Sequence, residues 1–74
     1  MTIFVTIGHY GMYDDYETQI EYVGFDENKA FDVISHLDYH EDGMAFLYAH
    51  VEAWQDDIHI ATYDENRNIS WSNK

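Results

Sequence analysis

From Met44 to Trp54 the side chains alternate without a break. Ala45, Leu47, Ala49, Val51 and Ala53 fall on one face; Met44, Phe46, Tyr48, His50, Glu52 and Trp54 fall on the other. Period two sustained this long fits a β-strand, because helical neighbours recur every three or four residues. The small side chains of one face suit close packing under a helix. The aromatic side chains of the other face are then what the helix leaves uncovered.

The next segment alternates in the same way, with Ile58, Ile60 and Thr62 against Asp57, His59, Ala61 and Tyr63. A two-residue turn at Gln55–Asp56 pairs Trp54 with Asp57, Glu52 with His59, His50 with Ala61 and Tyr48 with Tyr63. It also sets Val51 beside Ile60 and Ala53 beside Ile58, so hydrophobic pattern and turn length agree on one register.

Upstream, Thr2–Ile7 is β-branched and aromatic and reads as a strand. Gly8–Tyr16 carries two glycines and two aspartates and reads as a loop or wide turn. Glu17–Gly24 reads as a second strand, with Thr18, Ile20 and Tyr22 opposed to Glu17, Gln19, Glu21 and Val23. Asp26 is a suitable N-cap and Glu27 suits the first turn of a helix. Ala30, Val33, Ile34 and Leu37 then form one apolar stripe, with Phe31 at its edge, on a helix of about three turns. That helix is expected to end near His36–Tyr39. Ile69–Trp71 adds a short strand after a turn at Asp64–Asn68. The expected architecture is a single α+β domain over residues 1–74, of order β-β-α-β-β(-β), with one helix packed on a mainly antiparallel sheet.

A single helix covers one face of such a sheet. The outer face expected here holds Phe46, Tyr48, His50, Glu52, Trp54, His59 and Tyr63. Glu17, Gln19 and Glu21 of the second strand and Phe4 of the first join it. Large aromatic patches of this kind are covered by the chain itself, by a partner protein or by a second copy. The C-terminal segment or the Tyr10–Tyr16 segment would supply the first kind of cover.

Charge bounds the function. Fifteen Asp and Glu stand against three Lys and Arg, a formal net charge of −12 in 74 residues. Nucleic-acid binding rests on cations neutralising phosphates, so direct binding to DNA or RNA is not expected. The absence of cysteine excludes disulfides and thiolate metal sites. No apolar run approaches about 20 residues, and the N-terminal residues lack the basic start of a secretory signal, so a cytoplasmic protein is expected. His36 and His40 have helical i, i+4 spacing but read as solvated residues at a helix C-terminus. Asp64–Asn68 imitates the start of a calcium loop, yet Ile69 stands where that loop needs glycine. No phosphate-binding loop or nucleophile motif is present. The expectation is a protein without catalytic residues, cofactor or metal.

Acidic pairs occur at Asp14–Asp15, Asp26–Glu27, Glu41–Asp42, Asp56–Asp57 and Asp64–Glu65, each at an expected turn or element end. Alternate residues on a strand stand ~6.6 Å apart, so Asp15, Glu17 and Glu21 form a spaced row of negative charge. In size, charge and aromatic content the chain resembles small acidic phage-encoded inhibitors of host nucleic-acid enzymes. Among these are anti-restriction proteins, anti-CRISPR proteins and inhibitors of uracil-DNA glycosylase. The resemblance implies an inhibitor that fills the basic groove of a nucleic-acid-binding protein or complex in place of the nucleic acid. The residues expected to meet that partner are Asp14, Asp15, Glu17, Glu21, Tyr48, Glu52, Trp54, Asp56, Asp57 and Tyr63. The alternative is an interaction or immunity-type module that binds through the aromatic face, with a homodimer as one form of it.

Overall fold

The computed structural model describes residues 1–12, 14–37 and 44–73. In chain order the elements are β1 (Thr2–Met12), β2 (Asp15–Gly24), the helix α1 (Glu27–Asp32), a 3₁₀ turn (Val33–His36), β3 (Ala45–Gln55), β4 (Ile58–Tyr63) and β5 (Ile69–Ser72). The strands form one antiparallel sheet in the order β2-β1-β3-β4-β5, an α+β fold with one short helix on a sheet. Since β2 and β3 both run antiparallel to β1, on either side of it, the segment joining them crosses a sheet face. That crossing segment carries α1. No helix among the described residues is long and apolar enough to cross a membrane.

The core lies between α1 and the sheet. Ala30, Phe31 and Ile34 meet Ala49 and Val51, with Phe4, Tyr22, Val33, Leu37, Phe46 and Tyr63 packed around them. The small face of β3 is covered only in its second half: Ala49, Val51 and Ala53 are buried, whereas Ala45 and Leu47 are exposed, and the backbone of α1 comes closest to β1 and β2. Thr6 on β1 is buried at 0 % exposure, and its hydroxyl donates to the Ala30 carbonyl at 2.6 Å. That bond ties the helix to the sheet where a buried hydroxyl would otherwise be costly.

The helix is shorter than its apolar stripe suggests. Asp26 caps it as expected, accepting from the Lys29 amide at 3.1 Å. After Asp32 the chain tightens into 3₁₀ geometry, where Leu37 N–H reaches Ile34 O at 3.1 Å. The β-branched pair Val33–Ile34 is a weak helix former. Phe31 and Ile34 both join the core, so Phe31 is buried rather than marginal.

The Gly8–Tyr16 segment is not a loop. β1 continues through it to Met12, and β2 already begins at Asp15. The glycines mark a close approach instead of a turn. A Cβ on Gly8 would come within 2.8 Å of the Glu21 carboxylate and 2.9 Å of the Tyr10 ring. The Tyr10 hydroxyl donates to Glu21 across this gap. Burial, then the Glu21 bond and charge, push the Tyr10 hydroxyl up to about 12.

Bulges move several side chains to the other face. Tyr10 pairs with Phe46 while His9 pairs with Tyr48, so Leu47 is the extra residue and Phe46 turns toward the core. The β3–β4 turn is Asp56–Asp57, not Gln55–Asp56. Both residues have positive φ, 53° and 67°, the backbone that matches the twist of a two-residue hairpin. Trp54 therefore faces His59, Glu52 faces Thr62 and Val51 faces Tyr63. Tyr63 lies on the helix side, where its ring meets Phe31 edge-on with centroids 6.0 Å apart. Phe4, opposite Ala53, is also on the helix side.

Candidate functional site

The sheet face away from α1 carries a strip of side chains that crosses all five strands. It runs from Tyr16 on β2 to His9 on β1, then to Tyr48, His50, Glu52 and Trp54 on β3. It continues to His59 on β4 and Trp71 on β5. Tyr16 OH bonds to His9 Nδ1. His9 Nε2 lies 2.7 Å from His50 Nδ1, and His50 Nε2 lies 3.0 Å from Glu52 Oε2. The Trp54 indole donates to Glu52 Oε1 at 3.0 Å. Tyr48 stacks on His9 at 4.1 Å with the rings 8° apart. At the far end His59 is sandwiched between two indoles, 5.0 Å from Trp54 and 4.6 Å from Trp71. Its Nε2 meets the Thr62 hydroxyl at 2.8 Å.

Hydrogen-bond counting assigns the protons in this strip. An ionised Glu52 accepts from both His50 Nε2–H and Trp54 Nε1–H. His50 Nδ1 is then an acceptor, so His9 donates from Nε2. His9 Nδ1 accepts in turn from Tyr16, which takes the Tyr48 hydroxyl at 3.4 Å. Both imidazoles are neutral and every group is satisfied. No buried side-chain N or O among the described residues lacks a partner. One added proton is accommodated if the bonds from His50 to Tyr16 reverse, with His50 Nδ1–H donating to His9 and His9 Nδ1–H donating to Tyr16, while Glu52 still accepts from His50 and Trp54. A second proton puts two N–H groups face to face across 2.7 Å.

The local electrostatics follow. Burial, and then the nearby His50, hold His9 below its ordinary 6.5. At Glu52 partial burial opposes ionisation, but the bonds it accepts from His50 and Trp54 outweigh it and hold the carboxyl below its ordinary value. The Tyr48 hydroxyl beside Tyr16 raises that phenol. The paired imidazole nitrogens point at each other rather than at a common point. No group of three or more His, Asp or Glu among the described residues is placed to hold a metal.

These shifts carry a pH prediction. Below about pH 6.5 the unfolded chain takes up a proton at His9 that the folded chain resists, so stability falls with acidification and levels off below the folded pKa. Loss of net negative charge acts in the opposite sense, but equally in a His9→Gln variant. The difference in unfolding free energy between wild type and variant, measured by urea titration at about pH 7.5 and pH 5.5, should shrink on acidification. A constant difference would mean that His9 titrates as it does unfolded.

The residues expected to form one contact surface are divided by the fold. Tyr48, Glu52 and Trp54 come together in the strip, with Asp56 and Asp57 at its end. Glu17 pairs with Tyr10 and Glu21 bonds it, so both lie on the helix side of β2. Asp14 and Asp15 sit at the β1–β2 turn, the opposite end of the sheet from Asp56 and Asp57, about 30 Å away at ~3.4 Å per residue. Tyr63 is part of the core. His9, Tyr16 and Trp71 were not among the expected contact residues. The signal for His9 was present: Val5, Ile7 and His9 continue the alternation of β1 across the glycine that suggested a break. His36 is exposed after the helix, while His40 and the Glu41–Asp42 pair lie outside the described residues.

No protein-family model, curated protein or solved structure matches the chain.

Proposed function

We propose that this protein acts by binding, not catalysis. Its uncovered sheet face docks on a basic, nucleic-acid-binding protein or complex and obstructs the surface that would otherwise hold nucleic acid. The observation that carries this reading is the strip of aromatic and imidazole side chains crossing all five strands on the face that α1 leaves open. Its rings are held in place by the Glu52 bonds and the stacks, so little ordering entropy is lost on binding. Tyr48 and Trp71 expose 46 % of their surface each and are of the residue types that dominate binding energy.

Size and charge agree with that role. The molecule measures 36 × 22 × 21 Å, so a full face offers on the order of 800 Å², about one partner's share of a standard interface. Within the strip the one carboxylate, Glu52, is already bonded by His50 and Trp54. Four of the anions, Asp14, Asp15, Asp56 and Asp57, stand at its ends. An aromatic centre with a charged rim is ordinary interface anatomy. A net charge of −12 selects a cationic partner, whose arginines find aromatic faces here. Two copies docked face to face would instead bring like charges together.

The test is a partner captured by the wild-type chain and re-examined in a defined binding assay. Duplex DNA or RNA should compete, and affinity should fall with salt. Joint replacement Tyr48→Ala and Trp71→Ala should weaken binding about 30-fold or more, as for a hot spot of ~2 kcal/mol. Full retention by that variant, together with loss in Glu17→Gln and Glu21→Gln, would move the contact to the acidic edge strand. A monomer–dimer equilibrium abolished by the aromatic pair would make the face a self-interface.

A further inference from the structure

At one end of the strip the sheet face is hollowed. Ile3 and Val5 of β1, Trp54 of β3 and the turn residues Asp56 and Asp57 line a recess of about 220 Å³. Ligand pockets for small molecules run to ~300–1,000 Å³, so this one has room for a single long side chain. We propose that the recess receives an arginine side chain of the protein's partner. The inference rests on the docking reading above and names one contact within it.

The lining matches that side chain part by part. Ile3 and Val5 offer aliphatic surface to the methylene stem. Trp54 supplies an aromatic wall, and guanidinium groups favour such walls. Its position is set in advance by the bond to Glu52 at 3.0 Å and the stack on His59. Asp56 and Asp57, consecutive in the turn that lines the recess, bring two carboxylates suited to the fork of N–H donors that arginine presents and ammonium lacks. Neither aspartate has an ion-pair partner among the described residues. The described cations are elsewhere: Arg67 lies 4.7 Å over the Phe31 ring and bonds Asn28, and Lys29 is in α1. Both aspartates stand at positive φ, a backbone that an L-residue adopts at a cost and that asparagine tolerates equally well. Asp→Asn therefore removes the charge and leaves the turn.

The experiment is a titration of the full chain with the capped peptide Gly-Arg-Gly, followed by ¹H–¹⁵N and methyl NMR. The lysine and citrulline analogues serve as comparators. Saturable shifts should concentrate on the Trp54 indole N–H and the Ile3 and Val5 methyls. They should be absent with citrulline and weaker with lysine. In the Asp56→Asn–Asp57→Asn variant affinity should drop about tenfold, the scale of one lost charge-assisted bond. Equal shifts at the Asp64–Glu65 turn, unaltered in that variant, would overturn the assignment, because they report ordinary counter-ion attraction. Equal affinity for arginine and lysine would overturn it as well. The docking reading stands or falls separately, on the Tyr48 and Trp71 variants against the captured partner.

Discussion

Phe31→Ala is expected to remove about half of the chain's stability. Phe31 is 8 % exposed. Its ring makes three contacts, one of them with the sheet. It packs with Ile34 in the helical segment, meets Tyr63 of β4 edge-on, and carries the Arg67 guanidinium on its face at 4.7 Å. Arg67 itself reaches back to Asn28 at 3.2 Å, so the aromatic ring is the hinge pin between α1 and the β4–β5 turn. Truncating a buried phenylalanine costs ~3–5 kcal/mol. At ~0.05–0.15 kcal/mol per residue, a chain of 74 residues has only roughly 4–11 kcal/mol of stability. Urea or thermal unfolding measures the loss directly. Phe31→Leu, which keeps most of the volume, should cost less than ~1.5 kcal/mol. A loss below ~1 kcal/mol for alanine would show that the helix contributes little to the fold.

His50→Leu is the second large effect, expected to cost roughly 2–4 kcal/mol near neutral pH. The residue sits between two groups that have few alternatives. Without it, His9 Nε2–H faces an aliphatic side chain, and His9 is 8 % exposed. Glu52 loses the bond at 3.0 Å from His50 and keeps the one from Trp54. Side-chain exposure of 22 % at both His50 and Glu52 admits some water, which keeps the figure below that of a fully buried network. His50→Gln, with an NH₂ group to donate and a carbonyl to accept, should recover part of the loss. A double-mutant cycle with Glu52→Gln isolates the His50–Glu52 coupling. Additive effects in that cycle would mean that the relay is a set of adjacent groups and not a network.

The strip explains why a chain this small tolerates an open aromatic face. Its polar atoms are bonded to one another and its rings are stacked on one another. The face is organised before any partner arrives, and the charged ends discourage indiscriminate association.

Much of this was legible in the residues. The alternation of Met44–Trp54 determined that β3 exists, because period two admits no other regular element; of its small face, Ala49, Val51 and Ala53 are buried and Ala45 and Leu47 are not. The Asp26 cap, the apolar stripe behind it and the fifth strand at Ile69 were equally local signals. The surplus of carboxylates is a property of composition and needed no fold. Tertiary structure alone decided which face each side chain occupies. One extra residue at Leu47, one at Ile60 and one at Glu21 reverse the faces of Phe46, Tyr63 and the acidic row. A bulge shifts the register by a single residue, and with period two a single residue is a change of side. The same long-range pairing brought His9 to His50, 41 residues away in sequence. Such a contact is set by how strands align across the sheet, and no local pattern encodes it.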